Sequence, residues 1–350
     1  MKSIIITLGG FGEFLRCRLE GKWLYQFATK PNLERLTGGG LWGRVYLGSS
    51  PERSYFSFWG GEKNNFPGES YLRCLAYDLP VNPEATLFLG KFLTHDRGTI
   101  VRADPVLSPN ESALLLRTLA EKTTLPFSWH SLNGEAVISV SRFIPQVELP
   151  LPGDIKGHPY QQFLPRGKEY APILSLVGSA ASLLEKHPVN QVRLDLNEPL
   201  ANFLWLWGTG HGNPPPRVNI TDCPCFFSES RRLQGLALYL GCELHGDLAN
   251  LEKTSAFWWL DFKLNPSGNF SAWIKAFEAF DREVLGRLCQ VLQGQPWRLL
   301  LIFDDFLRED ETAANPWAAF FAATSTGPPR LKKQCRGGRE LLRNFVVALK

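Results

Sequence analysis

Apolar positions along this chain fall into two kinds of pattern. Short, mostly apolar runs, at Ile4-Ile5-Ile6, Ala256 to Phe262 and Arg298 to Phe303, predict strands buried on both faces. Between them lie stretches with helical spacing: Lys30 to Leu36, Ser228 to Leu240, and Ala272 to Leu292 as one long amphipathic helix. Pro31 suits the first turn of the earliest of these, and Gly38-Gly39-Gly40 ends it. Leu41 to Leu47 then reads as a second strand. Strand, helix and strand in that order argue for a parallel sheet covered by helices.

From Phe66 the pattern changes. Tyr71 to Leu75, Ile100-Val101 and Ala136 to Val140 read as strands around one helix from Ser108 to Lys122. Ser108-Pro109-Asn110-Glu111 sets a cap residue, a first-turn proline and an early carboxylate in the order a helix start requires. Pro145 to Pro152 is proline-rich and extended, a return linker on this reading. Asn202-Phe203-Leu204-Trp205-Leu206-Trp207-Gly208 predicts a buried strand that stops at a turn, where the parallel sheet resumes. The following Gly208-Thr209-Gly210-His211-Gly212-Asn213 leads into Pro214-Pro215-Pro216 rather than a helix, so it reads as plain loop and not as a phosphate loop. The expected organisation is an α/β core over 1–65 and 200–350, with 66–199 as an inserted α+β cap and linker.

Composition narrows the function classes. At 350 residues the chain is long for a single core, which favours two domains or one domain with a large insertion. A hydrophobic content of 44% with 21% charged residues fits a folded protein and argues against disorder. A net charge of +4 gives no reason to expect nucleic acid or a membrane as partner. No apolar run reaches the roughly 18 residues of a membrane helix, and the N-terminal apolar stretch is too short for a secretion signal. Seven scattered cysteines suit a reducing cytoplasm. Cys223-Pro224-Cys225 lacks the second pair that a metal or redox role would want, and reads as structural thiols. The basic tail, with Arg330, Lys332, Lys333, Arg336, Arg339 and Arg343, reads as a solvated surface.

Several motifs in shared order carry a resemblance. They are Pro31-Asn32-Leu33-Glu34-Arg35-Leu36, Arg73-Cys74-Leu75, Gly157-His158-Pro159 with Phe163-Leu164-Pro165, His187-Pro188-Val189-Asn190, Trp205 to Gly208, and Asn315-Pro316-Trp317. Together they resemble the archaeal-type cofactor-independent phosphoglycerate mutases, a branch of the alkaline phosphatase superfamily. The resemblance implies an alkaline-phosphatase-like, mostly parallel sheet flanked by helices, with an inserted α+β cap. It also implies chemistry on two divalent cations and a Ser or Thr nucleophile that is transiently phosphorylated. Two cations about 4 Å apart clamp the attacking and leaving oxygens.

The chain departs from that family where the chemistry sits. Gly9 stands at the first metal position, where the family has Asp, and Glu13 falls on a different position. Asn265 and Asn269 replace the Asp and His of the motif after the strand ending at Phe262. Asp304-Asp305 stands for an Asp-His pair, and Glu311 for the last histidine. The nucleophile turn reads Ser49-Ser50-Pro51-Glu52-Arg53-Ser54; one register places Pro51 or Glu52 at the hydroxyl, and a slip of a residue or two would use Ser50 or Ser54. Asp304 and Asp305 remain as a residual oxygen site for a hard ion such as Mg²⁺, Mn²⁺ or Ca²⁺. Arg53, Arg73 and Arg142 are candidates to hold a phosphorylated or carboxylated small molecule without a metal. Three expectations follow: a mutase-like pseudoenzyme that binds, scaffolds or regulates; an active isomerase or phosphotransferase with a rearranged site; or a partner subunit of another protein.

Overall fold

The computed structural model describes residues 1–9, 18–19, 22–38, 40–47, 50–123, 125–132, 134–141, 143–217, 224–251, 257–264, 270–303, 317–326, 331 and 333–347. The chain forms two units: residues 1–66 with the described residues from 216 onward, and Pro67–Pro215.

The first unit opens with β1 (Lys2–Gly9), every residue of which is buried. Burying each of Ile4, Ile5 and Ile6 contributes about 1.5–3 kcal/mol, and their branched side chains suit the pleat. A small antiparallel pair, β2 (Arg18–Leu19) and β3 (Lys22–Trp23), precedes α1 (Pro31–Thr37), which begins on proline as expected. The orphan amides of its first turn are satisfied by Asp281, whose Oδ1 accepts from Leu33 N at 2.7 Å and Oδ2 from Asn32 N at 3.1 Å. Strand β4 (Leu41–Tyr46) and α2 (Pro51–Phe58) follow.

The second unit begins with α3 (Glu69–Ala76), where the pattern suggested a strand at Tyr71 to Leu75. A short apolar run does not distinguish helix from strand, and here it packs as a helix on the sheet of this unit. That sheet is built on β5 (Thr86–Asp96), with β6 (Thr99–Arg102), β7 (Ser128–Ser131) and β8 (Ala136–Val140). Helix α4 (Pro109–Lys122) starts with a complete capping box between Ser108 and Glu111. Helices α5 (Ala171–Glu185) and α6 (Pro188–Asp195) lead into β9 (Phe203–His211).

Strand β9 corrects the expected organisation. It runs antiparallel to β5 within the second unit instead of resuming the parallel sheet. Apolar periodicity identifies a buried strand and not its partner. The strand also continues past Gly208 to His211: Gly208, at φ +62°, lies opposite a register shift between Leu87 and Leu89 and marks a bulge rather than a stop. The segment from Pro145 to Pro152 is therefore no return linker. Its Val147 and Pro150 carbonyls accept from Thr209 Oγ1 and Trp205 Nε1, each at 3.0 Å.

Back in the first unit come β10 (Cys225–Ser228), α7 (Arg231–Tyr239), β11 (Glu243–Leu244) and β12 (Phe257–Lys263). The expected single helix over 272–292 is α8 (Phe270–Phe280) and α9 (Gly286–Val291), joined by a π-helical turn at Asp281–Leu285. Strands β13 (Trp297–Phe303), β14 (Trp317–Thr324) and β15 (Gln334–Cys335) and helix α10 (Gly338–Val347) complete it. The sheet runs β11-β10-β12-β1-β13-β14-β4-β15, parallel except that β14 opposes both neighbours. Alternate residues face opposite layers: Ile4, Ile6, Trp258, Leu260, Leu299 and Leu301 pack toward α1, α8 and α9. On the other face Trp259 meets Tyr55 of α2, with ring centroids 5.5 Å apart. Each unit has its own apolar core. Among the described residues no helix is long and apolar enough to cross a membrane.

Candidate functional site

Open α/β sheets bind ligands at the C-terminal ends of their parallel strands. Here the pairing brings several such ends together, with Gly9 beside Lys263 and Leu8 beside Phe303. Gly9 thus lies at that edge, as expected, and offers no side-chain donor. Position 265 comes two residues after the end of β12 and position 304 directly after β13, but Asn265, Asn269, Asp304, Asp305 and Glu311 lie outside the described residues, as do Glu13 and Arg142.

One level inside the edge is a buried polar chain that pattern reading missed. Thr7, Asp261 and Ser228 are aligned across β1, β12 and β10 by the strand register. Thr7 Oγ1 donates to Asp261 Oδ1 at 2.7 Å, and Ser228 Oγ donates to Asp261 Oδ2 at 2.5 Å. Trp259 Nε1 donates to Thr7 Oγ1 at 3.3 Å, and Ser230 N to Ser228 Oγ at 2.8 Å. Both carboxylate oxygens of Asp261 therefore accept hydroxyl hydrogen bonds, which offsets the cost of burying a charge. The signal in the sequence is a lone acid inside the apolar run Phe257-Trp258-Trp259-Leu260-Asp261-Phe262.

The nucleophile turn is the start of α2. Ser50 is its N-cap, with Oγ accepting from Arg53 N at 3.4 Å, and Pro51 opens the first turn. Ser54 is buried one turn on, and its Oγ donates to Ser50 O at 2.5 Å. Glu52 between them is 0% exposed. Arg232, from the start of α7, grips it bidentately: Nε to Oε1 at 3.0 Å and Nη2 to Oε2 at 3.3 Å. Arg53 lays its guanidinium over the Phe66 ring, 4.7 Å from the centroid. Arg73 belongs to the second unit, where it is buried on α3 and donates from Nε to Glu135 Oε1 at 2.6 Å. The structure thus brings Ser50, Glu52, Arg53 and Ser54 onto one helix start and sets Arg73 in the other unit.

No family model matches the chain. It is 27% identical over 341 residues to the 2,3-bisphosphoglycerate-independent phosphoglycerate mutase of Methanothrix thermoacetophila, spanning 87% of this chain and 86% of that protein. Its fold is shared with the cofactor-independent phosphoglycerate mutase of Thermoplasma acidophilum, at a TM-score of 0.56 with 18% identity and full coverage of both chains. A protein of Pyrococcus horikoshii superposes at a TM-score of 0.66 with 16% identity, covering 100% of this chain and 98% of the other. The chain is a relative of the archaeal cofactor-independent phosphoglycerate mutases. Its fold is of the alkaline-phosphatase-like type.

Among the motifs that carry the resemblance, His187-Pro188-Val189-Asn190 has a structural role in this chain. His187 caps α6, its Nδ1 accepting from Val189 N at 3.1 Å while Nε2 meets Thr118 Oγ1 at 3.0 Å. Asn190 is 1% exposed and straps the entry to β9. Its Nδ2 donates to Leu184 O at 2.8 Å and Ala201 O at 3.1 Å, and its Oδ1 accepts from Ala201 N at 2.8 Å. Burial, with the Lys122 charge nearby, holds the His187 imidazole below its ordinary pKa and so favours the neutral form that accepts at Nδ1.

Proposed function

We propose that this chain is a phosphoglycerate mutase-like protein that has lost the two-metal phosphoryl-transfer site and acts by binding, scaffolding or regulation. The observation that carries the reading is Glu52. In the register without a slip, the hydroxyl position of the nucleophile turn holds Pro51 or Glu52, and Glu52 is a fully buried carboxylate clamped by Arg232. A carboxylate so engaged accepts no phosphoryl group, and it neutralises an Arg beside the place where a phosphate would need one. The donor set argues the same way. Gly9 supplies nothing, and Asn265 and Asn269 are amides, poor ligands for a transition metal. Asp304, Asp305 and Glu311 would suffice for one hard cation and not for a two-ion clamp.

The competing reading is an active metal-dependent mutase or phosphoryl-transfer enzyme using Ser50 or Ser54 with the remaining acids, and the names of the relatives favour it. One experiment separates the two: metal content after dialysis against Mn²⁺, Zn²⁺ and Mg²⁺, with a phosphoglycerate mutase assay on the same sample. No turnover in any metal supports the lost site. Turnover accompanied by about two bound ions, as a two-metal mechanism requires, overturns it.

A further inference from the structure

Cys225, Glu243 and His245 meet at the outer edge of the first unit's sheet, away from the strand ends discussed above. Cys225 opens β10 and is paired in register with Glu243 of β11, and the His245 amide continues the pairing by donating to Phe226 O at 2.8 Å. One ligand atom from each side chain, a sulfur, a ring nitrogen and a carboxylate oxygen, lies within 4.8 Å of the others. Along β10 alternate residues face opposite layers, so Cys225 sits on the α1 side with Trp258, whereas Ser228 faces Asp261 on the other. The two groups are therefore separate.

The His245 ring is the second observation. Its side chain is 8% exposed, and Nε2 is shut off from solvent without a hydrogen bond. Trp258 covers the ring, with centroids 4.8 Å apart, and Glu243 Oε1 lies 3.5 Å from Nε2. A buried imidazole nitrogen left without a hydrogen bond is costly, and a metal ion would complete it. Tetrahedral Zn²⁺, with Zn–S about 2.3 Å and Zn–N or Zn–O about 2.0–2.1 Å, requires ligand atoms about 3.4–3.6 Å apart. The His–Glu spacing, 3.5 Å, already meets that, and the thiol, within 4.8 Å of both partners, would have to close by up to about 1.2 Å to bond the ion. Cys225 is a thiol outside any disulfide.

We propose that Cys225, Glu243 and His245 form a transition-metal site, selective for Zn²⁺ over Mg²⁺ or Ca²⁺ because it mixes sulfur and nitrogen donors with oxygen. Three protein ligands leave a fourth position for water. The ion staples the two-residue strand β11 to β10 at the end of the sheet's strand order. This reverses the expectation that Cys223-Pro224-Cys225 holds only structural thiols, a reading limited to close cysteine pairs; the other two ligands come from a strand some twenty residues on.

The test is anaerobic titration of the full-length protein with Co²⁺, read by the thiolate-to-cobalt charge-transfer band, with Zn²⁺ as competitor. Oxygen-only sites give no such band, so the readout is independent of the mutase question. The expected result is one equivalent of Co²⁺ with the band, displaced by Zn²⁺ and absent in Cys225→Ser. Glu243→Gln and His245→Gln should each weaken binding by at least about tenfold. Glu243 is largely exposed, so that variant retains the fold and keeps the test decisive. The proposal is overturned if the parent protein gives no band, if the band survives Cys225→Ser, or if Glu243→Gln and His245→Gln bind as the parent does.

Discussion

Replacing Asn190 tests whether one of the motifs that carry the resemblance serves architecture. In Asn190→Ala, Ala201 loses the partners of both its N–H and its C=O at a site where it is 0% exposed. Leu184 O keeps a hydrogen bond from His187 N. Two orphaned buried groups at about 1–3 kcal/mol each give a loss of about 3 kcal/mol or somewhat more. Asn190→Asp should be worse at neutral pH, because it sets a buried carboxylate oxygen against the carbonyls of Leu184 and Ala201. The assay is urea unfolding of the full-length protein followed by tryptophan emission, since Trp205 and Trp207 lie on the strand that Asn190 secures. With a urea slope of about 2 kcal/mol/M, the Ala variant should unfold about 1.5 M earlier. A loss below about 1 kcal/mol, or an Asp variant milder than Ala, would refute the reasoning.

Three further outcomes are expected. Burial holds His95, His187 and His211 of the second unit below their usual 6.5; the unfolded chain then takes up protons as pH falls through 6.5 while the folded one does so only at lower pH, so stability is full above 6.5 and declines below it. Urea midpoints measured from pH 8 to pH 5.5 check this, and a flat profile would count against it. Gly68→Ala should cost about 3 kcal/mol or more by thermal unfolding, because its φ is +94° and the new Cβ would lie 2.2 Å from Thr209 O. Ser50→Ala should cost about 1 kcal/mol as the loss of an N-cap and leave any ligand binding intact; abolition of a measured turnover would instead make Ser50 a nucleophile.

The buried strands were legible because both faces of β1, β12 and β13 are covered, which writes mostly apolar runs. The starts of α1 and α4 were legible because proline and the Ser108–Glu111 box act locally. The partner of β9 was not, since Phe203 to Trp207 would be equally apolar in either sheet, and only β5, more than a hundred residues earlier, decides it. The same limit hid Asp261, whose hydroxyl donors come from positions 7 and 228. It hid Arg232 as well, which finds Glu52 across 180 residues. Local chemistry is readable in one sequence, and pairings made by topology are not.

The Glu52–Arg232 pair makes two positions 180 residues apart energetically interdependent. Removing Arg232 alone takes the bidentate partner from a buried carboxylate and so costs stability, and exchanging Glu52 alone for a hydroxyl leaves a guanidinium with its bidentate partner gone. Neither step is neutral by itself, so the two positions should change together among this chain's relatives. A homologue with Ser or Thr at position 52 is expected to differ at position 232 too, and that covariation could be read from sequences alone.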